Sequence, residues 1–220
     1  GSINLLNKCI ENNVKHFIFS SSAAVYGSPQ YNPIDEFHPT NPVSYYGYTK
    51  LLIETNLKWY SEIYGLKYAA LRYFNAAGYD VNKQVVGKEV KAKNLIPLVM
   101  EVAKGNKSFI SIYGNDYPTK DGTGIRDYVH VKDLAIAHIS ALKHLRRYKK
   151  NLTLNLGSET GFSVLEIIKR TKDILRVDIP YKVEQRRMGD MAKLVSSCDL
   201  AMDILKWEKK YSNLDTIIKS

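Results

Sequence analysis

Apolar positions along the chain switch repeatedly between two periods. Ile3, Leu6 and Ile10 recur at helical spacing, which predicts a helix at the start of the chain. His16-Phe17-Ile18-Phe19-Ser20 follows as a short apolar run ending in hydroxyls and predicts a buried strand. A loop is predicted through Pro29, Pro33, Pro39 and Pro42, and a long helix from about residue 44 to 64, with Gly65 where a C-cap belongs. The next strand is predicted over residues 68–73. Further helices are predicted over 94–104, 131–145, 163–175 and 213–220, and short strands over 109–113, 152–156 and 181–184. Strands alternating with helices predict an α/β fold with mostly parallel strands. No repeat, low-complexity tract or Gly/Ser-rich linker divides the chain.

Composition adds exclusions. Of 220 residues, 45% are hydrophobic and 25% charged, as in ordinary globular proteins. No apolar run approaches the ~20 residues of a membrane helix, so no membrane partner is expected. The start, Gly1-Ser2-Ile3-Asn4, lacks the basic-then-apolar pattern of a secretory leader. Cys9 and Cys198 are isolated, which fits a reducing, cytoplasmic location and forms no disulfide framework. The five histidines show no ligand spacing, and no metal is expected. A formal charge of +10 suits polyanionic partners, either nucleic acid or phosphorylated small molecules. The basic residues are scattered, however, and the run Arg146-Arg147-Tyr148-Lys149-Lys150 reads as the solvated end of a helix. Without a groove-entering motif or aromatic–basic interleaving, nucleic acid is not expected. His130 reads as packed or hydrogen-bonded, and Trp59 and Trp207 as helix-packing aromatics.

The candidate chemistry begins with Tyr46 and Lys50, four residues apart on one face of the long helix. The same spacing occurs in Tyr79/Lys83 and Tyr128/Lys132. Only Tyr46/Lys50 follows a strand ending in hydroxyls, Ser20-Ser21-Ser22, at the carboxyl edge where open α/β sheets bind ligands. A free phenol titrates near ~10, so a tyrosine base near pH 7 needs roughly 4 kcal/mol of stabilisation of its charged form. One ammonium about 4 Å away, at an effective dielectric near 20, supplies about that much. Spacing alone leaves two readings open: a proton-transfer pair, or a weak polar contact on a helix surface.

The resemblance is carried by Phe17-Ile18-Phe19-Ser20-Ser21-Ser22-Ala23-Ala24-Val25-Tyr26-Gly27, Tyr46-Gly47-Tyr48-Thr49-Lys50 and Leu71-Arg72-Tyr73-Phe74-Asn75-Ala76-Ala77-Gly78. It continues through Asn94-Leu95-Ile96-Pro97, the run from Tyr113 to Val131, Asn155-Leu156-Gly157 and Arg186-Arg187-Met188-Gly189-Asp190. Across nearly the whole chain the sequence resembles the UDP-glucose 4-epimerases of the extended short-chain dehydrogenase/reductase family. The resemblance implies NAD as cofactor and a UDP-sugar as substrate, and is compatible with a homodimer. It implies that Tyr46 removes the proton from the sugar 4-hydroxyl while hydride passes from C4 to NAD, and that hydride returns on the other face. It gives Ser22 the 4-oxygen and Lys50 the nicotinamide ribose, and it places Ser20, Tyr73 and Phe74 on the nicotinamide side. The UDP portion falls to Asn75, Asn94, Leu95, Tyr113, Arg126, Arg187 and Asp190. Leu194 corresponds to the position gating the sugar pocket, where bulky aromatics keep to glucose and galactose and smaller residues admit N-acetylated sugars; leucine leaves that preference open.

Arginine forks match a pyrophosphate well. For Arg126 the competing reading is a surface ion pair with Asp127, worth under about 1 kcal/mol. Other readings remain: a dehydratase, decarboxylase or uronate epimerase on the same scaffold, or a non-catalytic sugar-nucleotide-binding module. Ala23-Ala24 after Ser22 argue against a dehydratase, which needs a carboxylate pair there.

None of the thirteen glycines forms a Gly-x-Gly-x-x-Gly or Gly-x-x-Gly-x-x-Gly turn. The expected fold is therefore a partial Rossmann-type doubly wound sheet lacking its first strands, with a smaller α/β substrate-binding domain. Residues 1–75 are expected to belong to the NAD-binding domain. Residues 76–220 are expected to be mainly the UDP-sugar domain, with some segments returning to the first. Residues 1–220 alone are expected to show little turnover, because that glycine turn seats the pyrophosphate of NAD.

Overall fold

The computed structural model describes residues 1–85 and 93–220. In chain order it has α1 (Ser2–Glu11), β1 (His16–Ser22), a 3-10 turn (Ala23–Val25), α2 (Tyr45–Tyr64), β2 (Lys67–Tyr73) and β3 (Asn75–Ala77). Next come α3 (Leu95–Ala103), β4 (Ile110–Tyr113), β5 (Ile125–His130), α4 (Val131–Tyr148), β6 (Leu152–Leu156) and β7 (Gly161–Ser163). The chain finishes with α5 (Val164–Leu175), β8 (Tyr181–Glu184), β9 (Lys193–Leu194), α6 (Asp199–Leu205) and α7 (Leu214–Lys219).

The main sheet is parallel, in the order β1-β2-β6. Parallel neighbours require crossovers, and α2 lies in the one between β1 and β2. Successive strand side chains point to opposite faces. Ser21 accordingly meets Glu54 of α2, while Ser20 and Tyr73 face His138 of α4. Leu134, Ala137, Ala141 and Leu145 form the apolar stripe of α4 and pack on Ala69, Leu71, Leu154 and Leu156. A smaller sheet joins β3, β5 and β7, with β9 added to β5, and β4 pairs with β8. The α/β class and the parallel strands agree with the sequence reading. No helix of the described residues is long and apolar enough to cross a membrane.

Several boundaries differ from the periodicity. β1 continues through Ser21 and Ser22 because these pair in register with Arg72 and Tyr73. α4 runs on to Tyr148, so the basic run contributes the helix's last turn. β3, β7 and β9, two or three residues each, escaped the pattern because neighbouring strands, not their own sequence, hold them extended. His130 is buried and caps α4, its Nδ1 accepting from Lys132 N at 3.0 Å. Trp207 is buried and its indole donates to the Asp133 carbonyl at 2.9 Å. The packing expectation fails for Trp59, which is 58% exposed. It lies with Tyr45, Tyr48, Leu52 and Ile63 on an exposed apolar stripe of α2, opposite the buried Gly47, Glu54, Leu57 and Ser61.

Cys198 is fully buried, and burial pushes its thiol up to about 12. Thiolate is the reactive form, so a thiol that burial keeps protonated is unreactive near neutral pH. Thiol titration of the folded chain should count one group, the partly exposed Cys9, and two after unfolding. Two reactive thiols in the native state would contradict this packing.

Candidate active site

The site forms where the tip of β1 meets the first turn of α2. Ser44 caps that helix, its Oγ accepting from Gly47 N at 3.0 Å. Ser22 Oγ accepts from Ala24 N at 3.2 Å and starts the 3-10 turn. A Cβ at position 47 would lie 2.3 Å from the Ala24 carbonyl oxygen. Only glycine lets the helix approach the turn this closely, and the approach delivers Tyr46 to the strand tip. Tyr46 is 56% exposed, and it lines one cleft of about 590 Å³ together with Ser22. One turn on, Lys50 Nζ stands 5.4 Å from the centre of the Tyr46 ring and donates to the Ser20 carbonyl at 2.8 Å. The Tyr73 hydroxyl bridges Ser20 Oγ (2.9 Å) and His138 Nε2.

The cleft extends from this tip along β3 and the start of α3 to β4 and the segment after β8. Its walls include Phe74, Asn75, Asn94, Leu95 and Tyr113, and its charged groups are Lys93, Arg126, Arg187 and Asp190. Among the described residues, three cationic side chains stand against one carboxylate there, which favours an anionic occupant. Arg126 Nη1 donates to the carbonyls of Ile125 (3.0 Å) and Met191 (2.7 Å), with Nη2 3.6 Å from Asp190 Oδ1. Arg187 lies 3.6 Å above the centre of the Tyr113 ring, and Asn75 Nδ2 donates to the Asp127 carbonyl at 2.8 Å.

The residues named from the sequence fall in three groups. Ser22, Tyr46, Tyr73, Phe74, Asn75, Asn94, Leu95, Tyr113, Arg126, Arg187 and Asp190 all line the cleft. Ser20 and Lys50 join it through backbone and side-chain contacts at its edge and do not line it. Leu194 borders an adjoining hollow of about 290 Å³ that shares Ser22, Phe74, Asn75, Arg126 and Asp190 with the cleft. The surface ion pair between Arg126 and Asp127 is absent. On a strand these neighbours point to opposite sides, and Asp127 is fully buried. Its carboxylate accepts from Ser158 N and Oγ (both 2.6 Å), Glu159 N (3.1 Å) and Ser196 N (3.0 Å) and Oγ (2.5 Å).

Sequence reasoning missed a charged network beneath the tip. Glu54 accepts from Ser21 Oγ (2.5 Å) and from Arg72 Nε (3.0 Å) and Nη2 (2.6 Å). Arg72 Nη1 donates to the Tyr26 hydroxyl (3.0 Å), which donates to Asn155 Oδ1 (2.6 Å). Burial works against the Arg72 charge, yet Glu54 and Tyr26 more than offset it and hold the guanidinium above its ordinary range. Burial pushes the Tyr26 phenol up to about 12. Both groups therefore keep their protons near neutral pH. The available signal was Arg72 itself, a charge inside the apolar strand 67–73 that needs a buried partner.

The chain belongs to the NAD dependent epimerase/dehydratase family, whose profile matches residues 1–157. It is 46% identical over 219 residues to the UDP-glucose 4-epimerase of Halalkalibacterium halodurans, covering 100% of this chain and 66% of that protein. Among solved structures it resembles UDP-glucose 4-epimerase from Brucella ovis in complex with NAD, with a TM-score of 0.95 and 42% identity. That match covers 99% of this chain and 67% of the other. It also resembles UDP-glucose 4-epimerase from Bifidobacterium longum in complex with NAD+ and UDP (TM-score 0.91, 38% identity), over 100% of this chain and 66% of the other. The chain thus spans just under two thirds of the curated relative's length.

Proposed function

We propose that the protein containing this chain interconverts UDP-glucose and UDP-galactose by transient oxidation and reduction at the sugar C4. The observation that carries the proposal is that Tyr46 and Ser22 line one cleft together with Arg126 and Arg187. The residues present fit NAD. An ammonium has three protons, and Lys50 commits one to the Ser20 carbonyl, leaving donors for ribose hydroxyls. NAD, when bound, would supply the hydride acceptor and donor for C4.

In this reading Tyr46 takes the proton from the sugar 4-oxygen and later returns it, while Ser22 holds that oxygen in place. Lys50 stands one turn from Tyr46, its ammonium held beside the ring by the Ser20 carbonyl. Arg126 and Arg187 grip the diphosphate through charge-assisted hydrogen bonds, with Asn75, Asn94, Leu95, Tyr113 and Asp190 framing the nucleotide. Binding energy gathered at the UDP end then orients C4 against the base. Residues 1–75 serve the cofactor and residues 76–220 mainly the UDP-sugar. The hollow of about 290 Å³ beside Leu194 supports N-acetylated UDP-sugars as further substrates. The exposed apolar stripe on α2 supports a homodimer.

The test is to incubate the full-length protein with UDP-galactose. UDP-glucose should form until the two sugars equilibrate, and the purified protein should carry NAD. A dehydrated or decarboxylated product would refute the reaction, and an inactive protein without NAD would favour a binding module.

A further inference from the structure

The buried network under the strand tip has an unusual composition for its place. Ser21, Arg72 and Asn155 are lateral neighbours in register across β1, β2 and β6. This row lies one residue behind the row of Ser22, Tyr73 and Leu156 at the sheet's carboxyl edge. It faces α2, and Glu54 comes down from that helix to bind two of its members. Glu54 is four residues beyond Lys50 and eight beyond Tyr46, so all three belong to one side of α2. The side chains of both Arg72 and Glu54 are more than nine-tenths buried.

A buried ion pair is weak evidence for stability, because apolar residues of similar volume often do as well or better. Apolar contacts also tolerate sliding, whereas a two-pronged carboxylate–guanidinium contact does not. One residue of helix rise is about 1.5 Å, and a misplacement near 1 Å can cost about a hundredfold in rate. The hydrogen bond from Ser21 to Glu54 joins the strand residue next to Ser22 to the helix that carries Tyr46 and Lys50.

We infer that Glu54 is a positioning residue, which with Ser21 and Arg72 fixes the axial register of α2 against the tip of β1 and so sets Tyr46 over Ser22. The inference rests on the proposed role of Tyr46 as base. Glu54 does not line the cleft. Its contribution is geometric, and it should appear in turnover and leave binding unaffected.

The experiment compares full-length wild type, Ser21→Ala and the double variant Glu54→Leu/Arg72→Met, by steady-state kinetics, thermal unfolding and crystallography. The double variant replaces the ion pair with apolar side chains, so a purely structural role predicts normal turnover once folding is restored. We expect it to unfold within a few degrees of wild type, with kcat about tenfold or more lower and KM for the UDP-sugar within about threefold. Its crystal structure should show α2 displaced along its axis relative to β1. Ser21→Ala removes the hydrogen bond between β1 and α2, leaves the Glu54–Arg72 pair in place and should show the same split to a smaller degree; it also decides the matter if the double variant does not fold. An α2 that stays in place, or an unchanged kcat, would overturn the inference. A wild type without epimerase activity would count against the proposed reaction, while the crystallographic comparison would still decide the register.

Discussion

Replacing Tyr46 by phenylalanine is expected to lower the turnover of the full-length enzyme by a factor of about 10³, the middle of the range for a removed acid–base group. The ring stays, and with it the packing beside Lys50, whose ammonium lies 5.4 Å from the ring centre. Only the hydroxyl is lost, from a side chain 56% exposed, so no buried group is stranded and stability should hold. UDP should bind as before, since the substitution leaves the proposed diphosphate contacts, Arg126 and Arg187, in the cleft. Loss of kcat at constant KM marks an interaction made only in the transition state. Single-turnover kinetics and calorimetry with UDP separate the two quantities. A rate within about threefold of wild type would remove Tyr46 from the proton transfer.

The second large effect concerns stability. A Cβ at Gly157 would lie 2.2 Å from Ser196 Oγ and 2.5 Å from Asp127 Oδ2. The clash is with a carboxylate that five donors hold in place. Relief requires opening that clamp and leaving buried donors unpaired, at about 1–3 kcal/mol each. Gly157→Ala should therefore cost more than about 3 kcal/mol or prevent folding. Gly65→Ala is the control: its φ is +74 and a Cβ added there would have nothing within 4 Å, so only backbone strain of about 1–2 kcal/mol applies. Denaturant titrations of both variants check the contrast. Equal losses would mean that the clamp around Asp127 yields easily.

Much of this was legible in the sequence, for physical reasons that differ from residue to residue. The helix from Tyr45 to Tyr64 announced itself through the glycine that closes it, Gly65. The hydroxyl-tipped strand singled out Tyr46/Lys50 among three Tyr/Lys pairs, and Tyr46 lines the cleft with Ser22. Asp127 and Arg126 were harder: adjacent and opposite in charge, they suggested a pair, and only the alternation of β5 separates them. Trp59 misled because α2 is apolar on a face turned away from the sheet, and periodicity cannot say which face is buried. Glu54 was invisible because its partners Ser21 and Arg72 lie 33 and 18 residues away, joined only by sheet register.

Ser20, Ser21 and Ser22 look like a redundant triplet when read as letters. In the sheet they have three unlike neighbours: Tyr73, the buried Glu54 carboxylate and the backbone of the 3-10 turn. Deleting any one of them would leave two serines in the sequence but exchange inward for outward along the rest of the strand. A substitution at one of these positions therefore disturbs one contact, whereas a change of length disturbs all three.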